Sequence, residues 1–455
     1  MHRDTGVSSL EVMPGAAPPT TWKEPPSWLP TALHSLAYRN YSLLVIGQVS
    51  NSLAQWMDLV ARPILVIAMT GSAVQLGLVT VLRGLPSMLL GPVAGLLADR
   101  VDRRLLMLIA KISSLTVNAA FAALILSGEL QMWHVYVTAI VKSMLAAFDQ
   151  PARQALLPSL VPPRLLINAI GINTGSMQGT RILSASLAGF LIAFWALAFG
   201  FEDTDSRAFG GVYIAIAVVY VIAVVSTYML RVPPGGRVKR TEESWFTSFI
   251  EGVRFVRKNP VILSVLILLA VQTGLGQPYL QVFVPWIAIE VMDLGAEGAG
   301  MLLAVSGVGS LAGALVVATV GHRLRHRGLI VIVSLAFYGG ALMALGLTSV
   351  LPMVAVLGLS LPLLPMAMIS LVGVGQTGIM SIKNALLLEA TPNELRGRVM
   401  SFQTLDRGFS TVGGGAGGFA IALMGGPYAL ALYGALCAAG ALMVGAFSPA
   451  LRKQD

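Results

Sequence analysis

Long apolar runs separated by short polar breaks dominate the chain. A bilayer core needs roughly 20 consecutive apolar residues per helix. Against turn and charge punctuation, the runs predict twelve spans. The first six cover 42–69, 75–98, 104–127, 132–150, 165–197 and 209–230. The second six cover 260–287, 298–320, 328–348, 351–380, 399–424 and 427–449. The runs 165–197 and 351–380 are long enough to hide a break, and Pro352, Pro362 and Pro365 make the latter the most irregular. Residues 1–35 differ in kind. There Pro14, Pro18, Pro19, Pro25, Pro26 and Pro30 lie among Ser, Thr and charged residues, which predicts a disordered tail. No cleavable signal peptide is expected, because the first apolar run starts late and runs long.

The pattern therefore predicts an all-α polytopic membrane protein. Its units would be a tail 1–35, a six-helix bundle 36–231, a linker 232–259, a second six-helix bundle 260–449 and a short tail 450–455. In the linker Trp245, Phe249, Val253 and Val256 recur at helical spacing while Glu242, Glu243 and Glu251 take other positions. That spacing suits an amphipathic helix, either lying on the membrane surface or solvated.

Composition agrees: 56% of residues are hydrophobic and 11% charged, against about 45–50% and about 25% in soluble domains. With a mean hydropathy of +0.78, an ordinary soluble enzyme is excluded. The net charge of +9 would suggest a nucleic-acid partner in a soluble protein. Mapped onto the loops it says something else. Odd-to-even connections carry Glu129, Glu202, Asp203, Asp205, Glu290, Asp293 and Glu297 against Arg207. Even-to-odd connections carry Arg100, Arg103, Arg104, Arg153, Arg164, Arg323, Arg325 and Arg327, and the middle loop is basic too. Lys/Arg bias sets topology, so both termini are expected in the cytoplasm and the chain in the plasma membrane, with no nucleic-acid partner.

Two cytoplasmic stretches align at an offset of 230 residues. Ala155-Leu156-Leu157 matches Ala385-Leu386-Leu387, Arg153 faces Lys383, Pro162 faces Pro392 and Leu165 faces Leu395. Each lies between the fourth and fifth span of its half. Duplicated halves are the architecture of alternating-access transporters, with the substrate site near midplane between them.

After the second span comes Gly91-Pro92-Val93-Ala94-Gly95-Leu96-Leu97-Ala98-Asp99-Arg100-Val101-Asp102-Arg103-Arg104. Gly91 and Gly95, four apart, would allow close helix contact, and Asp99 ends a span beside three arginines. This loop resembles the signature loop of the major facilitator superfamily. Asn40-Tyr41, Trp56-Met57, Pro151-Ala152-Arg153-Gln154-Ala155-Leu156-Leu157-Pro158 and Arg396-Gly397-Arg398-Val399 resemble its enterobactin-exporter-like branch. The resemblance implies a twelve-helix fold, alternating access, and Asp99 as a latch of the inner gate. We place Gly91, Gly95, Asp99, Arg100, Arg103 and Arg104 in that gate, with Asp149, Arg153, Asp406 and Arg407 near the same surface. Departures exist. Asp102 stands where the signature has Gly, the loop Gly321 to Arg327 lacks the acid, and Ser184-Ala185 replaces the Gly-Pro common in the fifth span of antiporters.

An ionisable residue near a helix centre costs roughly 2.5–3.5 kcal/mol on insertion scales, so such residues line cavities or pair. Asp58 and Arg62, four apart, could pair on one face. Arg83 and Lys142 lie about ten residues inside their outer ends, and Arg181 is central in the fifth span; Arg62 and Arg83 could also snorkel outward. With Asn51 and Gln55 these residues form the candidate substrate cavity. Four cations against one carboxylate point to an amphipathic cargo that is neutral or anionic. Asp58 is the candidate for proton coupling, a structural salt bridge being its alternative. No nucleotide loop, catalytic motif, cofactor site or metal-ligand cluster is evident, and Cys437 is the sole cysteine. The expected function is a monomeric, proton-coupled exporter. An importer or facilitator on the same fold, and a non-transporting receptor or scaffold, stay open.

Overall fold

The computed structural model describes residues 24–26, 28, 30–202, 205–231, 254, 256–257, 259–320, 326–352, 354–356, 359–389 and 405–452. Twelve helical segments occupy the spanning positions among them. In the first half these are α1 (Arg39–Thr70), α2 (Ala73–Arg100), α3 (Arg103–Ser127), α4 (Met132–Leu156), α5 (Leu166–Phe199) and α6 (Gly210–Met229). The second half has α7 (Pro260–Val291), α8 (Gly295–Val320), α9 (Arg327–Thr348), α10 (Leu363–Glu389), α11 (Leu405–Met424) and α12 (Gly426–Phe447). Ten are long and apolar enough to cross a membrane. The others are α4, which carries Lys142, Asp149 and Arg153, and α11, whose apolar part is Gly408–Met424. Both are held by packing instead, α4 against α2 and α3, and α11 against α2, α7 and α12.

Local chemistry sets the helix ends. The Asp102 side chain accepts from the backbone N–H groups of Arg104 and Leu105, capping α3. That accounts for an acid where the signature loop has Gly. The helix closes at Gly128, whose φ of 75° lies in the left-handed region that favours glycine.

The halves repeat each other in packing. Pairs α2·α4, α3·α4 and α3·α6 recur as α8·α10, α9·α10 and α9·α12. Between halves, α2 packs on α11 and α8 on α5, so the second helix of each half meets the fifth of the other. Glycines let these backbones meet. A Cβ on Gly189 would lie 3.2 Å from Gly300 Cα, and one on Gly77 would lie 3.1 Å from Gly418 Cα.

Three expectations need correction. The tenth span starts at Leu363 rather than 351, and Val354–Val356 and Leu359–Leu361 pair as antiparallel strands β1 and β2 before it. Pro362 sits directly before the helix, where its missing N–H costs nothing. The fifth span has no break: α5 runs unbroken for 34 residues. The break falls in α7, which is α-helical over Pro260–Val271, wider over Gln272–Gly276 and tighter over Gln277–Leu280. Pro278 cannot donate to the preceding turn, and Gly274 and Gly276 weaken the helix there. Finally, the end of the proposed tail is folded. Thr31–Ala37 forms a turn of tight helix in which Ser35 is fully buried. Its Oγ donates to Asn168 Oδ1 of α5 at 2.6 Å, and Glu24 pairs with Arg164 at 3.0 Å.

Asn259 caps α7, accepting from Val261 and Ile262 N–H. The linker residues Glu242, Glu243, Trp245, Phe249, Glu251 and Val253 lie outside the described residues. At the other end of the molecule Asp205 accepts from Arg207 N–H and guanidinium, and these bonds hold its carboxyl below the usual carboxylate range.

Candidate functional site

Gln48, Asn51, Ser52, Gln55, Asp58 and Arg62 recur along α1 at steps of three, one, three, three and four, so they share one helix face. A polar stripe on an apolar helix needs a polar space to face. It faces a cavity of about 420 Å³. Thr80, Arg83 and Ser87 of α2, Lys111 and Ser114 of α3, Lys142, Asp149 and Arg153 of α4 and Tyr220 of α6 complete the first-half wall. The second half contributes Thr273, Gln277 and Gln281 from the broken stretch of α7, with Ser410 and Thr411 from α11. The site thus lies between the halves, and the charged residues described in its wall all belong to the first.

Asp58 is the hub. Its carboxylate lies 2.9 Å from Arg62 Nη2, 3.0 Å from Lys142 Nζ and 3.9 Å from Arg83 Nη2. The Tyr213 hydroxyl donates to it at 3.2 Å. Arg62 does not snorkel. It is 1% exposed, donates to Val135 O and Thr138 Oγ1, and stands 5.1 Å from the Phe121 ring centroid. Reaching outward would leave Asp58 buried without its nearest cation, which costs more than reaching inward. Arg83 also turns inward, its side chain one quarter exposed. Lys142 Nζ donates onward to Asn118 Oδ1 at 2.9 Å. Three helices, α1, α2 and α4, are therefore tied through one carboxylate.

A second cluster lines the cavity nearer the end that carries the basic loops. Asp149 and Arg153 lie 3.6 Å apart, each 5% exposed, and Lys111 Nζ donates to Thr227 Oγ1 at 2.8 Å. Gln48 Oε1 and Asp149 Oδ1 are buried without a hydrogen-bond partner among the described residues.

The expected gate loop divides differently. Among the described residues, a Cβ on Gly91 would meet nothing within 4 Å, so no described helix packs closely on it. The close glycine contacts of α2 are made by Gly77 and Gly84 against α11. Arg104 donates to Thr227 O at 3.4 Å and to Tyr228 O, and covers the Tyr228 ring, closing the C-terminal end of α6 within its own half. Arg103 opens α3, half-buried. Gly95, Asp99 and Arg100 lie in the last turns of α2, and Asp406 and Arg407 in the first turn of α11. Their side chains lie outside the described structure. Arg181 also differs from expectation. It does not line the cavity but stacks on Trp56 and reaches across to Tyr279 and Gln376.

The tyrosines were not anticipated. Tyr213 and Tyr220 are seven apart and so share a face of α6, a signal weak among so many apolar residues. Among the described residues no cluster of His, Cys, Asp or Glu is placed to hold a metal.

The Major Facilitator Superfamily model matches residues 44–409. Macrolide efflux protein A of Streptococcus pyogenes is 28% identical over 218 residues, 48% of this chain and 49% of that protein. The chain thus spans about half the length of this relative. Enterobactin exporter EntS of Salmonella typhi is 28% identical over 300 residues, 64% of this chain and 66% of that one. Among solved structures, a D-xylose-proton symporter superposes with a TM-score of 0.70 at 12% identity, covering 92% of this chain and 99% of its own. The nucleoside transporter NupG does so at 0.67 and 13%, covering 90% and 98%. At such identities these structures speak for the fold alone. By that fold and the family match over most of its length, this multi-pass membrane chain belongs to the Major Facilitator Superfamily, a family of transporters and not of enzymes.

Proposed function

We propose that the chain is a monomeric secondary transporter that exports an amphipathic small molecule, neutral or anionic, across the plasma membrane by alternating access, with both termini cytoplasmic. The observation that carries the cargo class is the charge of the cavity wall. Among the described lining residues, Arg62, Arg83, Lys111, Lys142 and Arg153 face Asp58 and Asp149, and those of the second half are uncharged. A cationic cargo entering it would meet like charge in a low-dielectric setting; an anion or a group rich in acceptors would meet donors. The outward direction is supported by the relatives, whose names describe efflux of a macrolide and export of enterobactin.

Asp58 is the residue we assign to proton coupling. A proton there would dissolve the pairs to Arg62, Lys142 and Arg83 and so loosen α1, α2 and α4 from one another. Energy from a membrane potential is a separate source. An anion leaving a negative interior gains about 2.3 kcal/mol per charge per 100 mV. Efflux of an amphipathic aromatic dye from a transporter-deficient host tests the reading, with and without a protonophore. Export that stops on adding the protonophore supports proton coupling. Equal dye retention with and without the transporter, for neutral and anionic dyes alike, overturns the function.

A further inference from the structure

Arg181 takes no part in the Asp58 cluster. It lies near the middle of α5, 8% exposed, with its guanidinium 5.4 Å from the ring centroid of Trp56 on α1. Both of its hydrogen bonds cross to the second half. Nη2 donates to Gln376 Oε1 of α10 at 3.0 Å and to the Tyr279 hydroxyl of α7 at 3.2 Å. These acceptors are braced in turn. The Tyr279 hydroxyl bonds Ser306 Oγ of α8 at 2.8 Å, and Gln376 Nε2 donates to Gln277 Oε1 at 3.3 Å. Gln277 belongs to the cavity wall, so Arg181 sits one side chain behind it.

A buried charge is expensive unless an opposite charge meets it. Among the described residues no carboxylate lies within 4.0 Å of Arg181. Its compensation among the described residues is a ring face and two neutral oxygens. Hydrogen bonds to an ionised acceptor are roughly twice as strong as those between neutral groups. A carboxylate or phenolate therefore outcompetes the Gln376 amide for this guanidinium. The bond it displaces is one that joins the halves. One turn along α5, the Ala185 carbonyl meets the site of a Gly300 Cβ at 3.0 Å, so the contact of α5 with α8 adjoins the same bond.

We propose that Arg181 is an anion-binding point between the halves, and that an anionic group taking its guanidinium from Gln376 and Tyr279 releases the α5–α8 contact. Benzoate is a suitable probe, because it offers a carboxylate on an aromatic body. That such an anion is cargo rests on the exporter reading; the release itself does not.

The test uses the full chain in detergent, with Cys437→Ala to remove its cysteine and Ala185→Cys as a reporter. Position 185 is 4% exposed, so maleimide labels it only when the contact opens. Benzoate is expected to raise the labelling rate severalfold. Gln376→Leu, which removes one acceptor on the second half, is expected to raise it about tenfold without benzoate, as for loss of a hydrogen bond to a charged group. Arg181→Gln should label fast and no longer respond to benzoate. Should that variant fail to fold, Gln376→Leu carries the test alone. Labelling unmoved by benzoate, or a wild-type rate in Gln376→Leu, overturns the proposal. No transport is measured, so failure here leaves the exporter reading standing, and failure to export leaves this result standing.

Discussion

At the scale of single residues, Asp58 organises the site. Removing one partner of a buried charge cluster costs about 3–5 kcal/mol, because the partners left behind stay buried and unpaired. Asp58→Ala is therefore expected to lower thermal stability in detergent sharply. Adding Arg62→Met should recover part of the loss, since Arg62 is then no longer a stranded cation 1% exposed. Equal melting of the single and double variants would show that the two do not act as a unit. Much of this cluster was legible in the sequence. Asp58 and Arg62 stood four apart in an apolar run, and charges in such runs must find partners. Which cations would share Asp58 was not legible, because Lys142 and Arg83 reach it from other helices. Arg181 shows the same limit from the other side: its depth was plain, but its partners lie 98 and 195 residues away.

Helices and their contacts form the next scale. Among the described residues, the glycines in tightest contact lie outside the signature loop. A Cβ on Gly413 would overlap the Gly274 carbonyl oxygen, where α11 crosses the broken stretch of α7. Backbone cannot yield as a flexible side chain does, so Gly413→Ala is expected to abolish efflux and to lower the melting temperature. Gly91→Ala, placed in open space inside α2, should be neutral or stabilising by about 0.5–1 kcal/mol through helix propensity. A melting-temperature comparison of the two variants separates packing from motif. A Gly413-Gly414-Gly415 run inside an apolar helix is a mark of close packing, yet nothing local to it names α7 as the partner. Breaks were harder still. Length pointed to the fifth and tenth spans, whereas Pro278 with Gly274 and Gly276 broke the seventh. Helix breaking follows local backbone chemistry and not the length of an apolar run.

Across the whole molecule, the excess of positive charge has two destinations. Basic loops at one end carry the orientation we propose, and a smaller set surrounds the cavity between the halves. Among the described residues, five cations and two carboxylates line that cavity, all of them from the first half. The proposed cargo class rests on this asymmetry, and so does the prediction that Lys142→Met weakens anion transport more than transport of a neutral analogue. Uptake by inside-out vesicles of matched aromatic probes supplied in the medium, one bearing a sulfonate and one a quaternary ammonium, gives the most direct measurement. Saturable, transporter-dependent accumulation of the sulfonate, reduced by Lys142→Met, is the predicted result. Preferential accumulation of the ammonium probe would contradict the account.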